Sequence, residues 1–280
     1  MRELLTMWKN TRMIVLTALI AAVYAAVLIP FKAIPLVPGF TEIRVAQVIP
    51  PAASLLFGPA AAWGVAMGNL LGDIMGSTFG LGSLFGFVGN FLLGAIPYML
   101  WGRLGPLSSN QEPTMRGSKQ VAEFLIVTVA SGLACAFMVA WGLEVLGLFP
   151  FTVLGSIIAI NNVLLPAVLG PVLMALLYPR VKRWGLLWSD ILDPADIGAG
   201  KTGGLGAWIM LLASVVGWAL CLFLSLGGGG QLLMPGFAQG GQGGAVTVVA
   251  AGAPVALLLL AGLVLGRART DLSQRGKKAA

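Results

Sequence analysis

Between Arg44 and Arg103 the chain carries a single charged residue, Asp73. No water-covered domain can be built from such a stretch, because soluble domains carry about 25% charged residues. This whole chain of 280 residues has 10%, with 58% hydrophobic residues. Inside a bilayer every backbone polar group must be satisfied internally, which leaves helices or a closed barrel. The apolar runs are long and lack the alternation of barrel strands. The 39 glycines fit membrane helices, where small residues let backbones approach closely. The composition therefore predicts an all-α integral membrane protein whose solvent is the lipid bilayer.

The apolar runs predict eight spans. After a basic leader with Arg2, Lys9 and Arg12, the first runs from about Met13 to Pro30. It is not read as a signal peptide, since no small-x-small cleavage site ends it and more spans follow. A loop from Phe31 to Arg44, broken by Pro35, Pro38 and Gly39, suits a cap over a site. The run from Val45 to Met75 is too long for one crossing and breaks at Gly58-Pro59, predicting a helical hairpin. Further spans are expected over about Leu84 to Trp101, Val121 to Leu148 and Ile157 to Tyr178, then Ala207 to Leu226 and Val246 to Leu265. The division expected is a substrate-binding unit over 1–183, followed by a linker and two-span hairpin with a basic tail over 184–280.

Charge sets the expected orientation. With both termini cytoplasmic and eight spans, all 17 Lys and Arg except Lys32 and Arg44 fall inside. That satisfies the positive-inside rule. The net charge of +7 is thereby explained without nucleic acid. The chain has no histidine, which removes Ser-His catalysis, His-ligated zinc and imidazole relays. Cys135 and Cys221 lie in apolar runs and read as small buried hydrophobes. Asp190, Asp193 and Asp196 lack the context of a metal-binding phosphotransferase loop. The glycine-rich stretch Gly227 to Gly244 lacks the lysine of a phosphate cradle. No metal or cofactor is expected.

Polar membrane residues converge on the outer half in this topology. Glu42, Arg44 and Gln47 open the second span, and Asn69 and Asp73 lie toward the outer end of the third. Asn90 belongs to the fourth, Trp141 and Glu144 end the fifth, and Asn161 and Asn162 begin the sixth. Ionisable residues in a membrane are costly and mark binding sites or pathways. Together these residues predict an outward cup for a small polar or aromatic molecule. Each also has an ordinary structural reading: helix-bridging asparagines, a turn-capping aspartate, an interfacial tryptophan. Ala18, Ala22 and Ala26, four apart, give the first span a smooth face.

In order, Ala18-x3-Ala22-x3-Ala26, Glu42-x-Arg44 leading to Ile49-Pro50, Leu55-Leu56-Phe57-Gly58-Pro59 and Gly64-x3-Gly68-Asn69-x2-Gly72-Asp73 resemble the substrate-binding S components of energy-coupling factor (ECF) vitamin transporters. Among these the chain is most similar to the QueT-like group, linked to queuosine precursors. The likeness covers roughly Arg12 to Arg183. It implies a six-helix bundle in a prokaryotic cytoplasmic membrane, with a micronutrient bound in an outward pocket under the first loop. It also implies a transmembrane coupling subunit and two cytoplasmic ATPases as partners. The alanine face would then meet the coupling subunit, and ATP hydrolysis elsewhere would topple the S component to release its ligand inward. The last two spans fall outside that pattern. The absence of histidine argues against the cobalt and nickel members. A self-sufficient secondary transporter or channel is the rival reading, and a lipid-acting membrane enzyme a weaker one.

Overall fold

A computed structural model describes residues 2–31, 35–37, 41–42, 44–193, 196–197, 203–227, 246–266 and 269. Among the described residues the regular structure is helical apart from one small hairpin. In order come α1 (Arg2–Thr6), α2 (Thr11–Phe31), β1 (Pro35–Val37), β2 (Thr41–Glu42), α3 (Ile49–Phe57), α4 (Pro59–Met75), α5 (Gly82–Leu100), α6 (Ser118–Val145), α7 (Phe151–Arg183), α8 (Trp188–Ile191), α9 (Gly203–Ser225) and α10 (Val246–Leu265). Six of these, α2, α5, α6, α7, α9 and α10, are long and apolar enough to cross a membrane. Their outward side chains, such as Val15, Leu19, Leu164 and Val172, are apolar, as hydrocarbon contact requires.

The run from Val45 to Met75 does divide at Gly58, which takes a left-handed φ of +49° and separates α3 from α4. Its two arms are unequal. A 3₁₀ turn, Val45–Val48, precedes α3, so that Val45–Phe57 rises about 20 Å, short of the ~30 Å hydrocarbon thickness. The ring of α2, α4, α5, α6 and α7 is closed by this segment. The 3₁₀ turn packs between α7 and α2, and α3 lies against α5, α4 and α7. The broken loop before it contains β1 and β2, paired antiparallel with Pro35 opposite Glu42 and Val37 opposite Thr41.

Small residues set the close crossings. At Gly68 of α4 a Cβ would come 2.7 Å from Ala21 O of α2, and at Gly94 of α5 it would come 2.7 Å from Ala61 O of α4. In α2, therefore, it is Ala21 and Ala25 that are buried against the bundle. Ala18, Ala22 and Ala26 lie on the exposed face. Pro97 disturbs the α5 ladder, and the buried Ser54 hydroxyl of α3 repairs it. Ser54 Oγ donates to Gly94 O at 2.6 Å and accepts from the Tyr98 amide at 3.1 Å.

One end of the bundle is tightly sealed. The start of the chain folds back there, with the Trp63 indole donating to Leu4 O at 2.9 Å and Trp8 edge-on to Trp63. Trp188 of α8 packs on Gly58 and edge-on to Tyr98. The connection from α5 to α6 is ordered by two side chains of α6. Gln120 Oε1 accepts from the Arg116 and Gly117 amides, at 2.7 and 2.9 Å. The buried Glu123 carboxylate accepts from the Gly102 amide, the Ser109 amide and the Ser109 hydroxyl, each at 2.7 Å. The sequence marked this connection only as hydrophilic.

Candidate functional site

A further group of helix ends meets at the opposite end of the bundle. There α4 and α6 end and α5 and α7 begin, so four helix termini and Arg44 surround one space. They enclose a cavity of about 160 Å³. A second cavity, at the sealed end beneath Trp101, Tyr178 and Trp188, has only about 40 Å³, room for little beyond a water molecule. The first is the candidate site for its polar lining, since the roomier grooves at Leu84 and at Trp218 are almost wholly apolar.

Its polar lining is a connected chain. Arg44 Nη1 donates to Asn69 Oδ1 at 3.3 Å, and Asn69 Nδ2 donates to Asp73 Oδ2 at 3.3 Å. Asn69 and Asp73 are four apart on α4 and so share one helix face. Thr78 Oγ1, from the loop after α4, donates to Asp73 Oδ1 at 3.4 Å. These bonds hold the Asp73 carboxylate in the cavity lining. Asn90, about two turns into α5, lies deeper. It donates to Gly86 O at 2.8 Å and accepts from the Tyr24 hydroxyl at 3.2 Å. Ser83 lines the rim, where its hydroxyl accepts from the Gly80 amide at 3.3 Å.

Glycine keeps the α5 side of the cavity bare. A Cβ on Gly86 would stand 3.3 Å from Asn69 Nδ2 and 3.7 Å from Asp73 Oδ2, covering the pair that faces the space. Cys135, Val139 and Leu143 of α6, with Leu148 and Ile158, form the apolar wall. The arrangement pairs hydrogen-bonding groups on α4 and at Arg44 with an apolar face opposite. Such a site holds and orients a small molecule. The described residues include no cluster of three or more His, Cys, Asp or Glu that could hold a metal ion.

Of the residues expected to converge, Arg44, Asn69, Asp73 and Asn90 line the cavity. The Glu42 side chain lies outside the described residues. Gln47 is buried in the 3₁₀ turn wedged between α2 and α7, away from the lining. Trp141 turns toward α10, where its indole donates to Val249 O at 3.2 Å. Glu144 accepts from the Phe151 amide at 2.8 Å, capping α7. That cap starts α7 at Phe151, a turn and a half before the expected span at Ile157. Asn162 is fully buried and bridges to α6, its Nδ2 donating to Gly132 O at 3.4 Å. Asn161 sits in a shallow groove beside Arg44 with Ile160 and Leu164. Thr78, Gly80, Gly86 and Cys135 were not singled out by residue chemistry. The only sequence signal for the first three was their closeness to Asp73 and to a Gly/Ser/Thr loop.

A model of the family described as QueT transporter matches residues 14–179. Neither a curated protein nor a solved structure matches the chain. The matched stretch begins in α2, ends near the last turn of α7 and contains every residue lining the cavity. Its helices are those of a multi-pass membrane protein, and the family's activity is transport, not catalysis. With more than half of its length inside that match, and with the ordered motifs of that group along it, the chain belongs to the QueT transporter family.

Proposed function

We propose that this chain is the substrate-specificity component of an ECF-type importer, and that its cavity binds a vitamin-like or queuosine-precursor-like small molecule from outside the cell. The observation that carries this reading is the Arg44–Asn69–Asp73 chain, which lines the cavity at one end of the bundle. In this reading inward release needs movement of the whole protein. The loop holding β1 and β2 joins α2 to Arg44; in this reading it serves as the cap, and Glu42 belongs to the binding residues. In this reading residues 1–183 form the substrate-binding unit and 184–280 an accessory part. Both termini lie in the cytoplasm of a prokaryote, with eight membrane segments counted when α3 and α4 are included.

The exposure of Ala18, Ala22 and Ala26 supports docking of a transmembrane coupling subunit on α2, because packing within the bundle uses Ala21 and Ala25 instead. Two cytoplasmic ATPases would complete the importer. Ala22→Trp is expected to leave the fold and ligand binding intact, since its side chain points away from the bundle, and to prevent co-purification of the coupling subunit. Uptake that persists in cells carrying Ala22→Trp would remove this face from the interface. Proteoliposomes test the function itself. The purified chain alone should bind its ligand without moving it, and ATP-dependent uptake should appear only with the partner subunits. Flux through the chain alone would establish the rival reading of a self-sufficient transporter.

A further inference from the structure

The family match stops at residue 179, yet the helices beyond it brace the cavity from behind. Helix α6 serves both sides. It places Cys135, Val139 and Leu143 in the cavity wall, while Phe137 and Trp141, stacked with ring centres 6.1 Å apart, lie against the C-terminal helices. The Trp141 ring fills a notch at Gly252 of α10, and its N–H is the one bonded to Val249 O. Helix α7 repeats the arrangement. Ile158 lines the cavity, and a turn earlier Gly155 O accepts from the Trp218 indole of α9 at 2.9 Å. The Thr152 amide donates to Ser225 Oγ of α9 at 3.3 Å. First-turn amides of a helix have no partner within it. Here Glu144 takes that of Phe151 and Ser225 that of Thr152, so α9 completes the cap of α7. At the sealed end Arg269 bonds Gly102 O at 2.8 Å and also Asn110 Oδ1.

We propose that α9 and α10 position the binding wall, with Trp141, Trp218 and Ser225 as positioning residues that hold α6 and α7 at the spacing the cavity needs. In lipid, helix association draws on packing and interhelical hydrogen bonds because burial of apolar surface gives no drive. Three such bonds on the back of the cavity wall therefore fix where its front stands. The proposal rests on the cavity being the ligand site, but its test does not need the ligand.

Cys135 supplies the reporter, since it lines the cavity and is 1% exposed. The full chain carrying Cys221→Ala is purified in detergent, and the rate of N-ethylmaleimide reaction at Cys135 is followed by mass spectrometry. Adding Trp141→Phe and Trp218→Phe together is expected to raise that rate about tenfold, the consequence of losing two interhelical hydrogen bonds. A control thiol, Ala25→Cys in a chain lacking both native cysteines, reports α2, which packs chiefly on α4, and should keep its parental rate. Ser225→Ala and Trp218→Phe, each alone, should give smaller rises in the same direction, and they decide the matter if the double variant does not fold. An unchanged Cys135 rate in folded variants would make the hairpin a passenger. An equal rise at both thiols would mean general loosening, and either outcome overturns the proposal. Unchanged ligand binding by an Asp73 variant, which would sink the ligand-site reading, would leave this result standing, so the two readings fail separately.

Discussion

Asp73→Asn lowers affinity for the molecule that co-purifies with the chain by about 100-fold, the loss of one charge-assisted hydrogen bond worth about 1.5–3 kcal/mol. This is the expected result because Asp73 puts a carboxylate into the cavity lining, where hydrogen bonds from Asn69 and Thr78 hold it in place. The substitution keeps size and shape, so the melting temperature should stay within a few degrees of the parent. Mass spectrometry identifies the ligand from the parental preparation, and titration calorimetry then compares the two proteins. Arg44→Ala should act in the same direction, since Arg44 holds Asn69 in line with Asp73. Equal affinity in Asp73→Asn and the parent, with equal melting, would take Asp73 out of the site.

Glu123→Ala has the largest expected effect on stability, and it acts at the other end of the molecule. The carboxylate is fully buried and accepts three hydrogen bonds, from two amides and a hydroxyl. Removing it strands those donors, and the cost of breaking a buried, charged arrangement is about 3–5 kcal/mol. A fall in melting temperature of about 10 °C follows from that magnitude. The informative comparison is Glu112→Ala. Glu112 forms a 2.6 Å ion pair with Lys182, whose side chain is 33% exposed. An ion pair near the surface contributes about 0–1 kcal/mol. Thermal melting of the two variants should therefore separate clearly, and equal shifts would show that the Glu123 bonds do not hold the α5–α6 connection.

Much of this was legible before any coordinates. The membrane class follows from charge alone, since too few polar side chains exist to face water. The break at Gly58 follows from a residue that tolerates positive φ, followed by a proline that favours a helix start. Asn69 and Asp73 belong to one face because helical spacing fixes it. The alanine stripe was visible too, but its direction was not. Ala18 and Ala21 differ by less than one helical turn, yet Ala18 faces out while Ala21 meets Gly68. Periodicity gives the face and not its neighbour.

Trp141, Glu144 and Asn162 mark where the sequence ran out. Their chain positions put all three near the outer helix ends, as the cavity residues are. Rotation about the helix axis sends Trp141 to α10, Glu144 to the α7 amides and Asn162 to Gly132. The sequence by itself determined the solvent, the apolar helical runs and the break at Gly58, because these depend on composition and local spacing. Only the tertiary structure decided which polar groups share a cavity and which cap or bridge helices. That choice depends on the rotation and crossing of helices distant in sequence, set here by contacts such as Gly68 on Ala21 and Trp141 on Gly252.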